Sequence, residues 1–246
     1  MRLTVVGCSG SGPGPDSAAS CYLVEQDGFR LLVDLGNGAF GPLQRFLDPG
    51  EIDAIFVSHL HADHCLDIPP FVVWHRYSSP EPRRRVPLYA PVGAPRRLAM
   101  AYDDEGDPLT DVFDFVFVGP GSFSLGPFQV RTARTAHPVE CYALRLEADG
   151  RSLVYTGDTG PCDGVVELAR DADVFLAEAA HPEVEGLPGA LHLTGRQAGE
   201  HAREAGVGRL LLTHVPSWVD RDAQLRAAAA VFPKAELVST GSVYDV

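Results

Sequence analysis

The chain has 246 residues, 45% of them hydrophobic, enough to bury a sizeable core, and no linker-like stretch splits it, so residues 1–246 read as one domain. Twenty basic against 33 acidic residues leave a formal net charge of −13, which repels polyanions and argues against long nucleic acid as a partner. Five cysteines (Cys8, Cys21, Cys65, Cys141, Cys162) without a C-x-x-C pair disfavour a disulfide framework and favour a reducing, cytoplasmic setting, and no run of eighteen apolar residues announces a membrane span.

The apolar run Leu3-Thr4-Val5-Val6 is too short for a signal peptide and reads as a first strand. It enters the loop 7–16, rich in Gly, Ser and Pro, whose amides and Ser9 and Ser11 hydroxyls suit either an anion cradle or a plain flexible turn. Residues 20–25 and 29–34 form a hairpin around Gln26-Asp27-Gly28, and Asp34 at its end is placed to brace a metal-bound histidine from behind. A short helix is expected at 43–47, then a buried strand at 52–57.

Directly behind that strand stands Ser58-His59-Leu60-His61-Ala62-Asp63-His64. Three imidazoles and a carboxylate in six residues have no packing rationale, and imidazole nitrogen with carboxylate oxygen is the mixed donor set of catalytic zinc. His59 and His61, two apart in extended chain, point to one side and can share a metal. Asp63 and His64, further round the turn, are placed to serve a second.

Residues 65–77 leave the cluster as a helix or bent helix interrupted at Pro69-Pro70, with His75 a packed or surface residue. Arg83-Arg84-Arg85 reads as a solvated face in preference to a phosphate contact. A strand at 86–90, a helix at 95–102, an acidic loop at 103–111 and a strand at 112–118 follow. Residues 128–133 alternate and deliver His137; 141–146 and 152–155 pair about Asp149-Gly150 and deliver Asp158 between two glycines, free to give one oxygen to each of two cations. A helix at 165–170 and a strand at 174–177 end at Glu178. After the glycines at 186 and 189, Thr194 and Gln197 form a capping box for a helix through Ala205 to Gly206, with His192 just ahead of its N-terminus and His201 exposed on it. The strand 209–213 delivers His214, and the tail, a helix at 222–232 and a strand at 235–239, carries no identifiable chemistry.

Strand ends thus supply His59, His61 and His137 for one metal, Asp63, His64 and His214 for the other, and Asp158 for both, with a position left for shared solvent. The H-x-H-x-D-H motif at 59–64, followed in order by His137, Asp158 and His214, resembles the metallo-β-lactamase fold superfamily over nearly the whole chain. That resemblance implies an α/β four-layer αββα sandwich with metals at the edge between two sheets. Leu176-Ala177-Glu178-Ala179 and Leu191-His192-Leu193-Thr194 are similar to the phosphodiesterase branch that includes ribonuclease Z, which implies that Glu178 and His192 act together near the scissile phosphate. The loop 7–16, Cys65-Leu66-Asp67, residues 155–162 and His214-Val215-Pro216-Ser217-Trp218 look closer still to compact atypical cyclic-nucleotide phosphodiesterases.

Only 33 residues separate Asp158 from His192, leaving no room for the long arm with which ribonuclease Z grips transfer RNA. The expectation is therefore a hydrolase with two divalent ions, zinc first and manganese or iron(II) as alternatives. It acts on a small phosphodiester such as a 3′,5′-cyclic nucleotide through a metal-bridging hydroxide. Asp63 orients the attacking group or takes its proton, and His192, held by Glu178, serves the phosphoryl oxygens or the departing alkoxide. An armless ribonuclease Z-like endoribonuclease and a thioester or lactone hydrolase are the alternatives, and the resemblance leaves room for a homodimer.

Overall fold

The computed structural model describes residues 1–103, 106, 108–184 and 191–246. Among these residues, strands β1 (Arg2–Ser9), β2 (Ala18–Ala19), β3 (Cys21–Gln26), β4 (Phe29–Val33), β5 (Ala54–Phe56), β6 (Val86–Ala90) and β7 (Phe113–Phe117) build one sheet. Strands β8 (Gly121–Leu125), β9 (Phe128–Arg134), β10 (Tyr142–Ala148), β11 (Arg151–Tyr155), β12 (Val174–Glu178), β13 (Arg209–Thr213) and β14 (Ala235–Leu237) build the other. The last strand, β15 (Val243–Asp245), returns to the first sheet and pairs antiparallel with β1. Each sheet joins antiparallel hairpins to a parallel flank, β4-β5-β6-β7 in one and β11-β12-β13-β14 in the other.

Helices α1 (Phe40–Leu43), α2 (Ala62–Cys65), α3 (Ile68–Tyr77) and α4 (Ala94–Tyr102) belong to the first half, and α5 (Asp163–Ala169), α6 (Gly195–Ala205) and α7 (Arg221–Ala229) to the second. Strand alternation sorts the core into three packed layers. In β3, Tyr22 and Val24 meet the opposite sheet while Cys21 and Leu23 meet the helices with Leu43, Phe71 and Leu98. In β12, Val174 and Leu176 face the first sheet and Phe175 and Ala177 face Val165, Ala198 and Ala202. Helix, sheet, sheet and helix therefore stack in that order, the αββα sandwich of the metallo-β-lactamase fold.

Three expectations need correction. The short helix expected at 43–47 lies earlier, at Phe40–Leu43, because the Asp67 carboxylate accepts from the Phe40 amide at 2.7 Å and starts the turn there. Pro69 and Pro70 do not interrupt a helix; they occupy the first turn of α3, where a missing N–H costs nothing. His201 is not exposed but buried under the second half, its Nδ1 donating to Gln197 O (2.9 Å) and its Nε2 accepting from the Cys162 amide (3.1 Å). Burial, its largest influence, pushes the His201 pKa down.

The bland readings of His75 and the arginine run fit. His75 is buried and donates to Arg84 O, Arg83 lies over Trp74, Arg84 pairs with Asp53 at 2.8 Å and Arg85 with Asp114 at 2.9 Å. The 186–189 segment lies outside the described residues, as does part of the 103–111 loop. No helix of the described residues is long and apolar enough to cross a membrane.

The capping box forms in full, with Thr194 Oγ1 accepting from the Gln197 amide and the Gln197 side chain accepting from the Thr194 amide. Thr194→Ala should cost about 1 kcal/mol of stability, whereas Phe71→Ala, which empties a fully buried ring position, should cost about 3–5 kcal/mol. Denaturant melts of the two variants check this ordering; a Thr194 variant as unstable as the Phe71 variant would contradict it.

Candidate metal centre

The histidines and carboxylates singled out from the sequence converge where the two sheets meet. His59 and His61 follow β5, and Asp63 and His64 sit in α2. His137, Asp158 and His214 come from the loops after β9, β11 and β13 of the other sheet. The donor atoms of His59, His61, His137 and Asp158 form one group within 4.8 Å of one another, and those of Asp63, His64, Asp158 and His214 form a second. Asp158 belongs to both: Oδ2 lies 3.6 Å from His59 Nε2, while Oδ1 lies 3.1 Å from His64 Nε2 and 3.3 Å from His214 Nε2. Asp63 Oδ2 closes the second group at 3.5 Å from His64 Nε2 and 3.6 Å from His214 Nε2.

The back nitrogens of four of these rings are anchored, which aims the front nitrogens at a common centre. His64 Nδ1 donates to Asp34 Oδ2 (2.7 Å), His59 Nδ1 meets Ser58 Oγ (3.1 Å), His214 Nδ1 meets Ser20 Oγ (2.8 Å) and His137 Nδ1 donates to Leu191 O (3.2 Å). Asp34 is itself saturated, accepting also from Ser58 N, Ser58 Oγ and Tyr155 OH. Asp34 and His214 adopt left-handed backbone (φ 58° and 56°), which turns each side chain sharply off the end of its strand. Gly36 admits the Asp63 carbonyl: a Cβ there would stand 2.0 Å from Asp63 O.

Three buried polar atoms of the second group, His64 Nε2, His214 Nε2 and Asp158 Oδ1, approach one another to 3.1 and 3.3 Å but form no hydrogen bond of good geometry. Unpartnered buried donors and acceptors cost about 1–3 kcal/mol each, and a divalent ion is the partner whose chemistry suits two imidazole nitrogens and a carboxylate oxygen together. The electrostatics agree. Burial works against the charge of Asp158, but His214, His64 and His59 outweigh it and hold the carboxyl well below the usual range. Burial and the neighbouring His64 keep the His59 pKa low, leaving its lone pair available. Burial also opposes charge on His64, but Asp158 and Asp34 overcome it and raise its pKa.

Beside this centre, His192 Nδ1 donates to Glu178 Oε1 at 2.8 Å and lies 3.9 Å from Asp158 Oδ2. Glu178 is fully buried and fixed by the Thr159 and Ala180 amides. Burial pulls the His192 pKa down, but the Glu178 carboxylate and its hydrogen bond carry it up to about 9. Sequence reasoning names every member of these groups but misses the anchoring roles of Ser20, read as a strand residue, and of Tyr155, read as a strand end that opens the segment 155–162. Their partners lie 194 and 121 residues away, so no local pattern could have disclosed them.

The sequence matches the family described as Beta-lactamase superfamily domain over residues 29–215, and the chain belongs to that family. It is an enzyme of the metal-dependent hydrolase class. A Mycobacterium leprae protein is 45% identical over 100% of this chain and 89% of its own length. The probable metallo-hydrolase YhfI of Bacillus subtilis is 30% identical over all of both chains, and its crystal structure superposes with a TM-score of 0.87 over 99% of each. Ribonuclease BN of Escherichia coli is likewise 30% identical, over all of both chains.

Two outcomes test the centre. Asp34→Ala should weaken metal binding about 10–100-fold by freeing the His64 ring; unchanged affinity in a chelator competition would remove Asp34 from the site. A raised His64 pKa means that the metal-free protein carries a proton there at neutral pH, and a metal must displace it. Calorimetric titration at pH 7 in buffers of different ionisation enthalpy should show about one proton released on metal binding, the release fading as pH rises through the folded pKa. Uptake, or no exchange at any pH, would contradict the assignment.

Proposed function

We propose that the protein is a dinuclear phosphodiesterase that hydrolyses a small, soluble phosphodiester such as a 3′,5′-cyclic nucleotide in the cytoplasm. One observation carries this reading: a histidine held by a buried glutamate stands beside a carboxylate shared by two sets of ligand atoms. A third polar station of that kind fits a reaction with both an attacking and a departing oxygen to manage. The 30% identity to a protein named as a ribonuclease supports the phosphodiester class. The net charge of −13 and the short span between Asp158 and His192 favour a small substrate over a long RNA.

His59, His61 and His137 would hold one ion, Asp63, His64 and His214 the other, and Asp158 both. Zinc is the preferred metal, with manganese and iron(II) as alternatives. When bound, such ions supply Lewis acidity, drawing charge from the phosphodiester and acidifying water. The chain's own groups then manage protons. Asp63 accepts the proton of the attacking water as the new P–O bond forms. His192, with Nδ1 committed to Glu178, presents Nε2–H to the reacting phosphate and gives its proton to the departing alkoxide as the old P–O bond breaks. In the metal-free site its pKa stands at about 9, with the buried Glu178 carboxylate as the main influence that raises it, and that pairing is what favours a proton on the ring. Glu178 touches no substrate in this scheme and is a positioning residue.

His64→Ala should lose both metal and activity. His192→Ala should keep its metal and lose about 10²–10⁴-fold in turnover of bis(p-nitrophenyl) phosphate; full turnover in that variant would remove His192 from the reaction. A metal-reconstituted assay against cyclic AMP, cyclic GMP, a 2′,3′-cyclic nucleotide, a precursor transfer RNA and a thioester, run in parallel, decides the substrate. Preference for the thioester would overturn the phosphodiesterase reading, and preference for the RNA would overturn the small-substrate one.

A further inference from the structure

Past His214, residues Val215 and Ser217 form one wall of an open pocket of about 410 Å³, and the chain between Ser9 and Ser17 forms the other. That volume lies in the usual range of small-molecule sites, roughly 300–1,000 Å³. None of the candidate metal ligands lines the pocket, but its walls are built on the two segments that meet at His214. Gly10 is pressed so close to the His214 carbonyl that a Cβ would stand 2.3 Å from its oxygen, and Ser217 follows His214 by three residues, a reach of about 10 Å.

The pocket holds a polar group that waits for a partner. Ser9 belongs to the lining, is 3% exposed, and its buried Oγ makes no hydrogen bond among the described residues. Such a buried hydroxyl costs about 1–3 kcal/mol unless something enters to satisfy it. The exposed hydroxyls of Ser217 and Ser239 also line the pocket, and Thr240 Oγ1, which donates to Ser17 Oγ, keeps its lone pairs. Gly14 sits between the two walls: a Cβ there would lie 3.1 Å from Ser217 Cβ and 3.4 Å from Ser9 Oγ, so a larger residue would crowd that space.

The charges select the kind of ligand. Arg221 is anchored by donating to Val238 O at 2.7 Å, and among the described residues no carboxylate lies within ion-pairing distance of it. Asp16 is the opposing charge in the lining, so cation and carboxylate balance. A second phosphate would meet that carboxylate with like charge. An uncharged group carrying both donors and acceptors would meet a complementary surface, and Cys8, Pro15 and Val215 give a ring apolar wall to lie against.

We propose that this pocket is the subsite for the nucleoside part of the phosphodiester, with the Ser9, Ser217 and Arg221 side chains as its hydrogen-bonding residues. The inference rests on the phosphodiesterase reading given above and deepens it by naming the place and the side chains that would take the nucleoside of such a substrate.

The metal-loaded enzyme is assayed with thymidine 5′-monophosphate p-nitrophenyl ester and with bis(p-nitrophenyl) phosphate. Arg221→Gln and Ser9→Ala should lower the ratio of kcat/KM for the nucleoside ester over the simple ester at least tenfold, chiefly through KM. Ser217→Ala, at an exposed position that folding does not depend on, should move the ratio in the same direction. An equal change for both esters, or none in any of the three variants, overturns the proposal. If the wild-type enzyme cleaves neither ester nor a cyclic nucleotide, the phosphodiesterase reading fails, and the pocket is judged separately by equilibrium dialysis. Binding of AMP or GMP at least tenfold tighter than inorganic phosphate, lost in Ser217→Ala and Arg221→Gln, upholds the subsite; equal binding of all three, or a preference for pyrophosphate, overturns it.

Discussion

The carboxylate of Asp34 is the constraint on which the centre depends. It is completely buried at the end of β4, in a backbone conformation that only a neighbourhood of good partners sustains. Four donors meet it: the Ser58 amide and hydroxyl, the His64 ring and the Tyr155 phenol. A buried charge so enclosed is tolerable, whereas removing one partner of such a pair costs about 3–5 kcal/mol. One carboxylate thereby fixes the end of β5, the orientation of His64 and the distance to β11 of the opposite sheet.

The same seam is tied elsewhere. Tyr22 of β3 bonds Thr213 of β13 at 2.7 Å, and the Tyr142 amide donates to Ser58 O at 3.0 Å. Both contacts cross between the sheets immediately behind the histidines. The fold therefore supplies rigidity from behind and leaves the front of the centre to the substrate, the arrangement expected where a reacting group must be placed rather than merely bound.

The first motif was legible because its information is local: three histidines and an aspartate directly after an apolar strand leave no room for a packing explanation. His137, Asp158 and His214 are each ordinary loop residues when taken alone. They are legible only as strand-end residues read together with the motif, and the fold brings all three to one place. What could not be read is contact across long sequence separation. Nothing near Ser20 or Tyr155 tells of His214 or Asp34, and His201, polar and mid-helix, gives no sign that Cys162 will close over it. Likewise the loop 7–16 was open between cradle and turn, because the residues that face it, Ser217, Arg221 and Thr240, come from the other end of the chain.

The glycines beside the centre carry a consequence for how sequence variation in this protein is to be understood. Gly36 abuts the backbone of Asp63, and Gly10 that of His214, with no space for even a methyl group. Natural or laboratory drift at either site would shove a ligand-bearing segment aside while leaving all seven donor side chains chemically intact. Such alleles would behave as metal-deficient enzymes, and an inspection confined to the donors would find nothing amiss.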